Sequence, residues 1–188
     1  VSKTIDTLVT VRPRWLPTRT LTLGALISER LTYCPDTGKL TWRDAPGVRS
    51  NLVGTCPTVL NANGYFEIKI AGKTIPTHRL AFVLMTGNFP PDGMVVDHAN
   101  GIRTDNRWCN LRLCTRAQNS QNKTGPAPKN TSGFRGVHWD KRFSKWKASI
   151  KVCGKRHNLG SFDSKEDAIA ARLAASARLH GPFAGRHT

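Results

Sequence analysis

The chain has 188 residues, with 29 Lys and Arg against 12 Asp and Glu, and so carries a formal charge of +17 with a pI of about 10.5. Its 38% hydrophobic content, five Trp and seven Phe can build a core, which excludes a disordered basic tail, and no run of about 18 apolar residues is present to form a membrane-spanning helix. A folded chain with this excess of cations is expected to bind polyanions, because Lys and Arg that neutralise phosphates release condensed counterions.

Residues 1–25 hold four cations and one acid and read as a basic N-terminal arm. They contain no apolar core of about 7–15 residues, so no secretory signal is expected. The five cysteines, Cys34, Cys56, Cys109, Cys114 and Cys153, are scattered and odd in number, as free thiols of a reducing cytosol are.

Residues 26–122 form the first module. Residues 64–73 predict a hairpin, 79–86 a short apolar helix and 89–93 a turn. Met94-Val95-Val96-Asp97-His98 predicts a short strand that ends in an acid beside an imidazole. A polar loop over 99–106 follows, then a second strand over 110–113. Thr115 and Gln118 form a capping box, which sets Asn119 and Asn122 one turn apart on one helix face. A carboxylate and an amide oxygen are hard ligands suited to Mg²⁺, and a neighbouring imidazole can take a proton from an attacking water.

These residues resemble the HNH endonucleases of bacteriophages and their introns. The resemblance rests on His78-Arg79-Leu80-Ala81, Val96-Asp97-His98-Ala99-Asn100-Gly101, Asp105-Asn106, Asn110-Leu111-Arg112 and Gln118-Asn119-Ser120-Gln121-Asn122, and the approach from Tyr33 to Trp42 is similar to phage members. It implies a ββα-metal module that hydrolyses phosphodiesters to a 5′-phosphate and a 3′-hydroxyl. Asp97 matches the metal-binding acid and His98 the general base. Asn110 matches the residue that braces the loop orienting His98, and Asn119 the last metal ligand. Asn119 stands where many members have His, which exchanges a ring nitrogen for an amide oxygen and favours Mg²⁺ or Mn²⁺, one ion per site. Paired CxxC motifs, which hold a structural zinc in many relatives, do not occur in this sequence, so no structural zinc is expected. Arg103, Arg107, Arg112 and Arg116 read either as phosphate contacts or as solvated cations. His78 either lines the DNA side or makes a structural hydrogen bond at a helix start, and Asn122 either supports the metal site or is exposed.

Residues 123–132 are rich in Gly, Pro and small polar residues and read as a linker. Beyond them lies the densest basic region: residues 125–188 hold 13 cations and four acids. A first strand is predicted over 134–139. Residues 145–152 alternate strictly, so a strand there sets Trp146, Ala148, Ile150 and Val152 on one face and Lys145, Lys147, Ser149 and Lys151 on the other. Cys153-Gly154 predicts a turn and 155–162 the return strand. Ser164 caps an Ala-rich helix that runs to His180, where Gly181-Pro182 stops it.

Residues 132–185 resemble the Apetala-type (ethylene-response-factor) DNA-binding domain. The matching residues are Phe134-Arg135-Gly136-Val137, Lys145-Trp146-Lys147-Ala148-Ser149-Ile150, Leu159-Gly160-Ser161-Phe162 and Asp167-Ala168-Ile169-Ala170-Ala171. The resemblance implies a three-stranded antiparallel sheet, backed by one helix, that lies in the DNA major groove. Its contacts fall on Arg135, Trp146 and Lys151, while His138 and Asn158 stand where the plant proteins carry Arg and Trp. Trp139, Arg142, Lys145, Lys147, Ser149 and Arg156 complete the face read as DNA-binding, although alternating Lys is also what a solvated strand face looks like. Trp139 and Trp146 read equally as core residues.

The expected fold is α+β: a ββα-metal nuclease module joined to a small three-stranded antiparallel sheet packed on one helix. The expected function is a metal-dependent DNA endonuclease, homing-type and from a phage, acting on double-stranded DNA in the host cytoplasm as a monomer or homodimer, with no membrane partner. The rival reading is a non-catalytic DNA-binding regulatory or packaging accessory protein with a vestigial HNH fold.

Overall fold

Leu23, Leu26 and Ile27 recur at helical spacing behind Thr22, whose hydroxyl accepts from Ala25 N at 3.2 Å and caps the helix they form. The computed structural model, which describes residues 8–11, 19–44, 48–122, 130–152 and 154–185, buries all three at the base of the first core. The chain divides into two compact units, Val1–Thr115 and Arg116–Thr188.

In the first unit β1 (Leu8–Val11) pairs antiparallel with β2 (Arg19–Thr22), and α1 (Leu23–Arg30) follows. The short hairpin of β3 (Leu31–Tyr33) and β4 (Leu40–Trp42) leads to a three-stranded antiparallel sheet of β5 (Val59–Leu60), β6 (Phe66–Ile70) and β7 (Lys73–Pro76). Helix α2 (Thr77–Thr86) stops where Gly87 turns left-handed at φ 79°. Then β8 (Met94–His98) and β9 (Leu111–Thr115) pair antiparallel, with Asp97 opposite Arg112 and His98 opposite Leu111. Leu23, Ile27, Leu31, Leu40, Ile68, Ile70, Ile75, Leu80 and Val83 form one buried cluster. Ala81, Val96 and Leu111 form a second, which joins α2 to the β8–β9 hairpin.

The second unit opens with α3 (Arg116–Gln121), so the order strand, strand, helix expected around the nuclease motif is present along the chain. Its sheet has the order β10 (Val137–Asp140), β11 (Lys145–Val152), β12 (Lys155–Phe162), all antiparallel. Helix α4 (Lys165–His180) covers one face, burying Ala168 against Val137 and Ala148. Ser164 accepts from Asp167 N at 3.0 Å, as the capping pattern predicts. The fold is thus a mixed helix-and-strand architecture of small antiparallel sheets.

Two expectations change. The stretch read as a basic arm over 1–25 contains β2 and the start of α1, because Leu23 is needed by the core and Thr22 caps the helix that carries it. The last residues of the expected linker are built into the second unit: Asn130 Oδ1 accepts from Ser132 N at 2.8 Å, and Ser132 Oγ donates to Val137 O at 2.6 Å. The rest of that linker, 123–129, and Cys153 of the expected turn lie outside the described residues.

Candidate active site

Asp97 and His98 end β8, and both are buried, at 6% and 4% exposure. A carboxylate so placed requires a counter-charge. Arg112, its partner across the hairpin, supplies one: Nε and Nη2 donate to Asp97 Oδ2 at 3.0 and 2.9 Å. The register of β8 against β9 therefore decides which cation pairs with the Asp97 carboxylate.

Asn106 fixes His98. Its Nδ2 donates to Thr104 O at 3.4 Å, which turns Oδ1 toward His98 Nε2 at 3.1 Å. An amide oxygen only accepts, so Nε2 carries the proton and a neutral His98 presents its lone pair on Nδ1. Burial lowers the His98 pKa below the ordinary histidine value, against the opposing influence of Asn106, Asp97 and Asp105. The imidazole is thus held neutral, as a proton acceptor must be.

The loop between the strands is tied at both ends by Asn110. Its Oδ1 accepts from Asn100 N at 2.9 Å, its Nδ2 donates to Asp105 O at 2.7 Å, and its carbonyl accepts from Ala99 N at 2.8 Å. Within the loop Asn100 Nδ2 donates to Asp105 Oδ2, and Arg107 grips Asp105 through Nε and Nη2 at 2.8 and 2.7 Å, which holds that carboxyl down to about 2. The β3–β4 turn buttresses the loop from outside: Tyr33 Oη donates to Asn106 O at 2.6 Å and Trp108 N to Pro35 O at 2.9 Å. Gly38, at φ +71°, lies so close that a Cβ there would meet the Asn106 carbonyl carbon at 2.5 Å. The run from Tyr33 to Trp42 is therefore a support for the loop that carries Asn106.

Two further rings pack around the His98 imidazole. His78, in the first turn of α2, packs edge-on against His98 with ring centroids 5.0 Å apart, and the Tyr65 ring lies 5.3 Å from His78 and 5.9 Å from His98. Arg103 covers the Tyr65 ring at 5.1 Å and donates to Asn63 O.

Residues 76–121 match the family model for HNH endonucleases. Over 94 residues the chain is 36% identical to Protein 3.8 of Escherichia phage T7, a match that covers 50% of this chain and 76% of that protein. Residues 76–121 are thus an HNH endonuclease domain. The chain is also 30% identical over 125 residues to an uncharacterised HNH endonuclease, L560, of Acanthamoeba polyphaga mimivirus, covering 66% of this chain and 63% of that protein. A solved structure of the HNH homing endonuclease I-HmuI, titled for DNA binding and cleavage, matches at 24% identity and a TM-score of 0.37 over 50% of this chain and 51% of that one.

The expected site residues sort as follows. Asp97, His98 and Asn110 are brought together in the first unit. Asn119, partly buried, and Arg116, exposed, lie on α3 in the second unit, as does the buried Asn122 just beyond it. Three expected DNA contacts have other work: Arg112 is the Asp97 counter-ion, Arg107 is committed to Asp105, and His78 is 9% exposed with its edge on His98. Sequence pattern gave no sign of Arg112's role because only the β8–β9 register pairs it with Asp97. Asn106 enters the sequence reading only within the Asp105-Asn106 match, without a role, and Tyr65 only within the expected hairpin; the position of Asn106 eight residues after His98, at the far end of a polar loop, is the one available signal of what it does.

On the second unit's sheet, directly paired residues share a face. Lys147 pairs with His138 and Ser161, Ser149 with Asn158, and Lys151 with Arg156, so these side chains line the face opposite α4. Trp139 pairs with Trp146 on the other face, their rings 5.2 Å apart and edge-on, and Trp146 packs against Val137, Ala148 and Ala168. The two-residue period of the strand thus removes both Trp from the basic face, which corrects their reading as DNA contacts. That face also carries acid: Asp140 is paired with Lys147, which lowers the Asp140 pKa, and Asp163 with Lys145 at 2.8 Å. Arg142 stacks on the exposed Phe143 ring, which Lys147 also approaches at 4.9 Å. Arg135 lies before β10 and donates from Nη1 to Ser120 O at 2.9 Å.

Proposed function

We propose that this chain is a divalent-metal-dependent DNA endonuclease of the homing type, in which His98 is the general base and the second unit holds the DNA. The observation that carries the reading is the buried His98, held by Asn106 in the tautomer that leaves Nδ1 as acceptor and set beside the buried Asp97, which Arg112 pairs. That arrangement has little use in a passive binding module, where a buried Asp-His pair would only cost stability.

The donor set fits a hard ion. Asp97 offers a carboxylate oxygen and Asn119 an amide oxygen, the ligand types that Mg²⁺ and Mn²⁺ prefer, and among the described residues no three His, Cys, Asp or Glu side chains form a cage. An ion bound by so few protein oxygens keeps water and accepts phosphate oxygens; its chemistry here would be to stabilise charge on the phosphate and the leaving oxygen. The chain's own part is to orient and deprotonate. Asn110 and Asn106 fix the loop and the ring, and His98 Nδ1 takes a proton from the water that attacks the phosphorus, leaving 5′-phosphate and 3′-hydroxyl ends. Arg112 pairs with Asp97, and Arg103 and Arg116 are the cations offered to backbone phosphates.

The three-stranded sheet with one covering helix supports an Apetala-type reading for the second unit, with His138, Lys147, Ser149, Lys151, Arg156 and Asn158 toward DNA. The viral sources of the two relatives support a role in phage DNA metabolism in the host cytoplasm. No helix among the described residues is long and apolar enough to cross a membrane. The test is supercoiled plasmid incubated with the protein and Mg²⁺ or Mn²⁺, with a chelated control. Metal-dependent nicks that DNA ligase reseals without kinase treatment are expected; intact plasmid with either ion, or nicks that persist in chelator, contradicts the reading.

A further inference from the structure

The second unit contains a cavity of about 440 Å³ that the nuclease mechanism does not use. Arg172 of α4 forms one wall. It is 5% exposed, and its Nε and Nη1 are buried with no hydrogen-bond partner among the described residues. Arg135, Lys151 and Arg156 also line the cavity, and no carboxylate is among the described residues that do. The other titratable wall group, His180, is buried, with Nε2 toward Lys151 O at 3.2 Å and Nδ1 toward Ser176 Oγ at 3.4 Å. Gly136, at φ +83°, makes room for the guanidinium: a Cβ there would lie 2.8 Å from Arg172 Nε and 2.5 Å from Ser149 O.

Burying an Arg without an acid is among the more costly arrangements available to a small domain. Water can satisfy its N–H groups but supplies no charge. Burial, and after it the neighbouring cation Arg135, lowers the Arg172 pKa. A planar guanidinium with Nε and Nη1 unpartnered, lining a cavity large enough for a tetrahedral oxyanion that Arg135 also lines, has the chemistry of a phosphate receptor.

We propose that the Arg172 cavity binds a phosphate group, supplied either by a DNA backbone or by a small phosphorylated molecule. The site belongs to the second unit and does not depend on the nuclease reading. Arg172 is the specific donor, and Arg135 raises the local potential.

Inorganic phosphate is titrated into the full-length protein against chloride at equal ionic strength, with thermal unfolding and ³¹P line width as readouts. The parent is expected to show a saturable rise in Tm, about 3–6 °C at ten times Kd. Arg172→Met, which removes the buried charge and keeps the apolar stem, is expected to lose that saturable rise. A parent with no saturable shift, or a Met variant that shifts as far as the parent, overturns the site. If the Met variant does not fold, Arg172→Lys decides: loss of the fork must weaken phosphate binding at least tenfold, and an unchanged Kd overturns the proposal. The source is read from duplex binding by the same variants. A backbone phosphate in the cavity lowers the salt slope by about one in Arg172→Met, and free phosphate then competes with duplex; an unchanged slope with phosphate binding intact in the parent assigns the cavity to a small phosphorylated ligand.

Discussion

At the scale of single residues the candidate site is a set of buried charges and their partners, and each partner makes a prediction. Arg112→Met leaves Asp97 buried without its counter-ion. Because the guanidinium keeps some solvent contact, the expected cost is about 2–4 kcal/mol, below that of breaking a fully buried pair, measured as a drop in chemical-denaturation midpoint. His78 makes a prediction about pH. Burial lowers its pKa to about 3, with His98 and Arg79 adding to the shift, while the unfolded chain titrates near 6.5. The unfolded state therefore binds more protons between those values, and His78 contributes stability that is complete above pH 6.5 and is lost as pH falls toward 3. Thermal scans from pH 7 to 4 should show this loss, with a slope of up to about 1.4 kcal/mol per pH unit from this group, and His78→Phe should flatten it. An equal slope in the variant would place the titration elsewhere. Asp97 and His98 could be singled out from sequence because they are adjacent and end a short apolar run. The partners that give them their states could not. Arg112 lies fifteen residues on, Asn106 eight, and Tyr65 and His78 come from other elements, so only the folded backbone brings them together.

Elements were legible where one period ran long enough to be counted. Residues 94–98, 145–152 and 155–162 are strands over the spans that the apolar runs and turns predict, and α4 begins behind Ser164 and ends at His180 as its capping and stop signals require. The β1–β2 hairpin was not anticipated: its composition is basic and Thr-rich, and its partner strand was hidden by reading 1–25 as one segment. The faces of the second sheet were half legible. The lysines alternate as predicted, but which face each Trp joins depends on cross-strand pairs, and the Trp139–Trp146 pairing takes both to the helix side. At this scale the β3–β4 turn is the element whose effect on the site is least evident from sequence. Gly38→Ala forces a Cβ against the Asn106 backbone from a left-handed residue, and it should destabilise the protein by about 2 kcal/mol or more. Displacing Asn106 should also lower cleavage by the folded variant at least tenfold; full activity would show that the turn does not position His98.

Across the whole molecule the charge of +17 is unevenly used. Some cations are spent on internal acids, as Arg112 is on Asp97, Arg107 on Asp105 and Lys147 on Asp140, while Lys151 and Arg156 lie together on the second sheet's face away from α4. The composition pointed to a polyanion without locating it; pairing geometry separates the cations that neutralise the protein from those that can neutralise a ligand. Combined Lys147→Ala, Lys151→Ala and Arg156→Ala substitution should weaken duplex binding and lower the salt slope by about 2–3, with little loss of stability, since all three lie on a solvent-facing side. An unchanged slope would take the DNA-holding role away from this sheet. The central claim, that a neutral buried His98 is the base of a DNA-cutting reaction, is tested most directly by the single-turnover nicking rate of supercoiled plasmid in saturating Mg²⁺, parent against His98→Ala, with duplex affinity measured on both. The account predicts a fall of about 10²–10⁴-fold in rate at unchanged affinity; equal rates for the two proteins would contradict it.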